Sequence, residues 1–256
     1  MSFIKKLIIG SLFVISISFL LIFWWSDERL PSSFLNEEEL ADILSREYKK
    51  MDEKSEKFEI LDIIYLDESH VYIPFKDDDG SHSQSFWEWQ NSEWVPIVTE
   101  RRSLPKIWQL DKKDPSSLYF VWNFNTGPAE KIIFHMILER SYSASGLEDY
   151  QYQPRIQANY KEAINSSYGV SQIPKEWKSV ILELNKYEQQ EGIFSFWSNS
   201  NGLSYSYLLV NNNEEIVYPP IEEINGSAFY NRGGEQVSHL SMTMNSLEYF
   251  HWMDTE

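Results

Sequence analysis

Leu7 to Trp25 is a run without a single charged residue, and it constrains everything that follows it. Wound as a helix at about 1.5 Å per residue, the run reaches about 28 Å, the thickness of a hydrocarbon core. A cleaved signal peptide and a buried core helix are the alternatives. A signal peptide carries a shorter apolar core and a small-residue cleavage site, whereas this run ends in Phe23-Trp24-Trp25 and passes into Ser26-Asp27-Glu28. Paired indoles fit the headgroup level, where the ring is buried and the N–H stays hydrogen-bonded. Ser11, Ser16 and Ser18 satisfy their hydroxyls against the preceding turn. Lys5 and Lys6 precede the run while Asp27 and Glu28 follow it, so the positive-inside rule leaves the amino terminus in the cytoplasm. The reading is a single-pass anchor with the rest of the chain outside.

The chain beyond the anchor is long enough for one large or two small domains with a real core. Two of the 22 Lys and Arg precede the anchor, leaving 20 against 39 Asp and Glu, a net charge of −19 outside. Such a surface repels phosphate backbones, so nucleic acid is excluded as a partner. With 0 cysteines there is no disulfide framework, no thiolate nucleophile and no Cys-ligated metal. Stability must then come from packing, and the 10 Trp, 15 Tyr and 15 Phe favour antiparallel sheet. A membrane protein of the bacterial cell envelope is the class these features point to.

The expected fold class is α+β, predominantly antiparallel β, with one N-terminal transmembrane helix. After a cytoplasmic N-terminus (1–6), the anchor (7–25) and a spacer (26–35), a helix-plus-sheet lobe is expected over 36–143. An irregular seam follows over 144–176, and a second β-rich, sandwich-like lobe over 177–256. Asn36 caps a helix reaching to about Met51, with Glu39 reaching back and Leu40, Ile43, Leu44 and Tyr48 on one face. From Phe58 the period changes to two. Phe58–Tyr65, Val71–Phe75, Gln84–Gln90 and Glu93–Thr99 read as a meander that Leu118–Phe124 and Ile132–Leu138 continue, the last apolar on both faces and therefore central.

Residues 174–190 match both a helix and a strand, with strand slightly favoured because β-patterned chain follows at once. Asn201-Gly202 marks a hairpin between Ile193–Ser198 and Leu203–Val210. Leu240, Met242 and Met244 alternate inward before the aromatic Tyr249, Phe250 and Trp252. The first half resembles, in plan only, the cystatin-like and nuclear-transport-factor-like folds, and the second is similar to an immunoglobulin-like sandwich. These resemblances imply an arrangement of elements and no function.

Standard catalytic signatures are missing: no His-Glu-x-x-His, no Gly-x-Ser-x-Gly, no phosphate loop and no dinucleotide fingerprint. No cofactor and no metal is expected, and catalytic residues cannot be named. Ser103-Leu104-Pro105-Lys106 has the Ser-x-x-Lys spacing, but its Pro sits where the required helix would form. Asp77-Asp78-Asp79-Gly80 places its Gly one position too early for a calcium loop and reads as an acidic hairpin tip. His135 reads as a hydrogen-bonded core residue and His239 as a solvated one.

Trp87 and Trp89 share a strand face with Trp94 just across the turn, a candidate ligand-binding surface whose competing reading is core packing. The functional expectation is a non-catalytic module that binds an envelope protein or glycan, besides the lipid bilayer that holds Leu7–Trp25. A tethered hydrolase of envelope polysaccharide, using Asp and Glu as acid and base, is the second reading. A glycan-binding surface built on exposed Trp is the third.

Overall fold

Asn36 starts a helix as its sequence context predicts. Its side chain accepts from the Glu39 N–H at 3.0 Å while the Glu39 carboxylate accepts from the Asn36 N–H at 3.2 Å, closing a capping box. Glu37, Glu38 and Glu39 lie at the helix's partial positive end, and Lys49 and Lys50 at its negative end. The helix, α1, spans Glu37–Lys50 and buries Leu40, Leu44 and Tyr48 on one face. These positions come from a computed structural model, which describes residues 31–242 except 32, 52, 54, 56, 115, 146–148, 154, 192–202, 221–225 and 232. The run Leu7–Trp25, the Asn201-Gly202 hairpin turn with Ile193–Ser198, Met244 and the aromatic Tyr249, Phe250 and Trp252 therefore lie outside the described residues. Among those described, no helix is long and apolar enough to cross a membrane.

The described residues form a β-rich body of mostly antiparallel sheets with two α-helices. Its early strands are β1 (Glu59–Ile60), β2 (Ile64–Tyr65), β3 (His70–Lys76), β4 (His82–Gln90), β5 (Glu93–Arg101), β6 (Lys106–Gln109), β7 (Leu118–Asn123) and β8 (Lys131–Leu138). There follow β9 (Ser141–Ser145), β10 (Asp149–Gln153), β11 (Ile156–Ala163), β12 (Tyr168–Gln172) and the helix α2 (Lys175–Glu191). The last strands are β13 (Leu203–Val210), β14 (Ile216–Val217), β15 (Ser227–Tyr230), β16 (Val237–His239) and β17 (Ser241–Met242).

Sheet A runs β1-β3-β4-β5-β15 with β2 also on β3, sheet B runs β12-β7-β6-β16, and sheet C runs β11-β8-β13-β14 with β17 parallel to β13. β9 and β10 pair with each other. Only the first part of the expected meander is one sheet. β6 and β7 belong to sheet B and β8 to sheet C, because chain leaving β5 turns at Arg102, with φ of 56°, and crosses to a new layer.

The layers stack α1, sheet A, sheet B, sheet C. Leu40, Leu44 and Tyr48 pack on Val71, Ile73, Phe75, Trp87 and Trp94. Tyr72, Phe86, Ile97 and Val98 on the other side of sheet A meet Trp108, Val121 and Val237 of sheet B. Ile107, Phe120 and Trp122 face Ile132, Phe134, Met136, Tyr207 and Leu209 of sheet C, and the Phe120 and Phe134 rings stack 3.9 Å apart and 3° from parallel. Each such side chain, fully buried, contributes on the order of 2 kcal/mol. β8 is buried on both faces and lies between β11 and β13, as its uninterrupted apolar sequence predicts.

Residues 174–190, which the sequence tilts slightly toward strand, form α2. Pro174 accepts the first helical bond from the Lys178 N–H at 3.1 Å, and Trp177 and Ile181, one turn apart, are buried at 3% and 0%. A strand would have aligned Val180, Leu182 and Leu184, but Leu182 is 39% exposed. The stretch 144–176 contains β10, β11 and β12, and strands from either side of it share sheets: β15 joins β5, β16 joins β6 and β13 joins β8. Gly169, a punctuation mark in the sequence, sits within β12 opposite Trp122. A Cβ there would lie 2.2 Å from the indole.

Candidate functional site

Trp87, Trp89 and Trp94 share one face of sheet A, as their spacing predicts, and that face lies under α1. Trp87 is 0% and Trp94 6% exposed, and Trp89 is half-buried. Phe34 meets Trp87 and Trp94 edge-on at 5.5 and 5.2 Å, and Trp89 meets Trp94 at 5.4 Å. Such packing occupies most of the indole surface that stacking on a sugar requires.

Trp94 nonetheless forms part of the wall of a cleft of about 490 Å³. α1 contributes Ile43, Arg46, Glu47 and Lys50, and the β4–β5 hairpin contributes Gln90 and Glu93 to Pro96, with Asn231 closing the end. The hairpin turn is Asn91-Ser92 with φ of 52° and 68°, the left-handed pair that keeps a two-residue turn in step with strand twist. Between Phe86 and Trp87 the register of β4 against β5 shifts, so Trp87 faces Pro96 while Phe86 faces Val98. This bulge accommodates a proline, which has no N–H to give the ladder.

Within the cleft, Glu47 accepts from Lys50 at 2.7 Å and from Asn231 at 3.3 Å, and Asn231 also donates to the Pro96 carbonyl at 2.6 Å. Lys50 stands 4.7 Å over the Phe229 ring. Arg46 and Glu93 are exposed, and neither side chain has a partner among the described residues. The cleft thus offers one cation and one carboxylate that no described residue engages.

The remaining chemistry-bearing groups are engaged internally. Lys106 is 0% exposed, pairs with Glu100 at 2.8 Å, and contacts His239, whose Nε2 is 3.0 Å away. Tyr230 and His239 are linked at 2.9 Å, while Gln84 donates to Glu100 at 2.8 Å and accepts from Tyr72 at 2.9 Å. Burial pushes the Lys106 ammonium below its ordinary pKa, against the pull of Glu100. Burial and the Lys106 charge together push His239 down. His239 is therefore solvent-facing, as its sequence position predicts, and also closes a buried ion pair.

His70, buried against the Trp108 ring, lies 2.8 Å from Asp67 and 3.4 Å from Glu88. Burial opposes its charge, but the two carboxylates outweigh burial and raise its pKa to about 9. His135 is 2% exposed and bonded to Asn159 at 2.7 Å, the core role its sequence context predicts.

Asp77, Asp78 and Asp79 bring their carboxylates within 4.8 Å of one another. Two of them already serve Arg101, at 2.6 Å from Asp77 and 2.5 Å from Asp79, with Glu53 at 2.9 Å as a third partner. Asp77 also accepts from the Asp79 and Ser81 N–H groups, and Gly80 closes the tip with φ of 76°. Arg101 offsets part of the negative charge gathered at this hairpin tip. Ser103 is fully buried and donates to the Asn123 and His82 carbonyls, so its spacing from Lys106 builds no nucleophile.

Sequence reasoning placed the three Trp but missed Arg46 and Glu93. These come together only because α1 lies across the β4–β5 hairpin, and no local pattern joins them. Lys106 carried a usable signal, a charge set among the apolar Ile107 and Trp108. No protein-family model, no curated protein and no solved structure matches this chain.

Proposed function

We propose that the chain is a membrane-anchored, extracytoplasmic binding module of the cell envelope, non-catalytic, that holds a protein partner in the cleft between α1 and the β4–β5 hairpin. The observation that carries the reading is the pair Arg46 and Glu93, which no described residue engages, on the walls of a cleft of about 490 Å³. A surface that keeps two opposite charges solvated favours a partner with matching charges, which adds orientation and association rate. The catalytic-type groups support the same view, because Lys106, Glu100, His70 and Ser103 are committed to internal bonds. A glycan reading draws on Trp94, but at 6% exposure that ring offers little area for stacking.

Tethering rests on Leu7–Trp25 and its flanking charges. Trp25 to Asn36 spans at most about 40 Å when extended, so the cleft operates close to the bilayer. Proximity labelling on intact cells, with the full chain and with the charge-swapped Arg46→Glu/Glu93→Lys pair, tests the reading. The native chain is expected to mark an envelope protein that the swapped chain loses at least tenfold. Identical marking by both chains overturns the cleft, and marking of cytosolic proteins overturns the topology.

A further inference from the structure

We infer that His239 is an acid-sensitive latch: its neutral ring holds β16 against β6, and its protonation loosens that strand from the edge of sheet B. β16 is joined to β6 by a short ladder, with Val237 beside Trp108, Ser238 beside Ile107 and His239 beside Lys106. The Lys106 and His239 side chains are therefore a directly opposed pair on one face of the sheet, and they touch. Lys106 is 0% exposed whereas the His239 side chain is 58% exposed. One member of the contact is sealed and the other meets water.

A neutral imidazole has one acceptor nitrogen and one N–H, and the contacts around His239 use both. Lys106 Nζ lies 3.0 Å from Nε2 and closer still to Nδ1, so Nδ1 accepts from the ammonium while Nε2–H faces the Tyr230 hydroxyl at 2.9 Å. Protonation converts that acceptor into a second donor and sets a cation against a cation. Glu100 of β5, Lys106 of β6 and Tyr230 of β15 are the titratable groups described around the ring. Of these, Glu100 alone can offset a second positive charge, and it is already committed. Its Oε1 lies 2.8 Å from Lys106 but 4.0 Å from His239 Nδ1, and its Oε2 accepts from Gln84 at 2.8 Å. Lys106 is enclosed and paired, so the exposed ring is the partner that leaves.

Val237, 4% exposed, anchors the far end of β16, so opening starts at His239 and spreads to the neighbouring Leu240 N–H, which bonds the Pro105 carbonyl at 3.2 Å. β15 is held separately, by four ladder pairs to β5, by Ser227 on Glu53 and by Asn231 on Pro96 and Glu47. The opening is thus confined to β16, and it uncovers the ladder groups along the edge of β6. Burial and the Lys106 charge support this sense of response, because both hold the folded pKa of His239 below 6.5. A group depressed in this way adds stability that is complete above the unfolded value and is lost as pH falls through the folded one.

Amide exchange read by NMR on the full chain in detergent micelles, at about pH 7.5 and about pH 5 and corrected for intrinsic rates, tests the latch. Protection of the Leu240 N–H is expected to fall about fivefold or more in acid. The Asn231 N–H, bonded to the Ile97 carbonyl at 2.8 Å, is the internal reference and is expected to change less than about twofold. His239→Gln keeps an acceptor for Lys106 and takes up no proton, so its Leu240 protection is expected to be the same at both pH values. Unchanged protection in the native chain, an equal fall at Asn231, or the same fall in His239→Gln overturns the inference. So does a His239 ring that titrates at or above 6.5. Native-chain exchange and the ring titration stand as the test should the variant fail to fold. None of these results depends on what the α1 cleft binds.

Discussion

His70 ties the stability of this fold to alkaline pH. Its folded pKa of about 9 lies above the 6.5 of a free imidazole, because Asp67 and Glu88 outweigh the burial that opposes the charge. A group whose folded pKa is raised contributes stability that is complete below the unfolded value and disappears as pH climbs through the folded one. The window is therefore pH 6.5 to about 9. A displacement of that size corresponds to about 3 kcal/mol, which the 43% exposure of Asp67 reduces toward about 2 through solvent screening. The assay is urea unfolding of the full chain in detergent micelles from pH 6 to pH 10, run beside His70→Gln. Groups common to both chains cancel in the difference. The native chain is expected to lose about 2 kcal/mol more than the variant across that range. Parallel pH profiles, or a His70 ring titrating near 6.5 by NMR, would refute the reasoning.

Two further outcomes follow from packing and burial. Lys106→Met strands Glu100 beneath the sheets and is expected to cost about 3–5 kcal/mol, whereas Lys106→Met/Glu100→Leu recovers most of it; equal urea midpoints for the two chains would contradict this. Gly169→Ala drives a methyl into the Trp122 ring and is expected to cost about 1–3 kcal/mol, while Gly169→Ala with Trp122→Leu costs less than the two changes summed, read by thermal unfolding.

The elements that were legible in the sequence are those whose signals are local. Asn36 and Glu39 announce a capping box, and Asn91-Ser92 a two-residue turn. The doubly apolar stretch from Ile132 to Leu138 announces a central strand. Residues 174–190 were ambiguous because a short apolar run satisfies both periods, and the decisive fact, Trp177 packing edge-on against Phe120 at 5.7 Å, is tertiary. The assignment of strands to sheets was equally hidden. Nothing in Ser227–Tyr230 marks it for the edge of β5, or in Val237–His239 for β6, because long-range pairing depends on which edges remain vacant. The candidate site was half legible. Its tryptophans show in the sequence, but Arg46 and Glu93 acquire meaning only once α1 crosses the hairpin.

β15 and β16 complete the edges of β5 and β6, and this arrangement sets a timetable for biogenesis. A chain synthesised from its amino end presents both of those edges well before their closing partners emerge. Throughout that interval the ladder groups of two partly built sheets stand available to any neighbouring polypeptide. Safe maturation of this protein therefore hinges on how quickly its last segments are handed over. Slowed completion of the chain is expected to yield aggregates even where the finished molecule is stable.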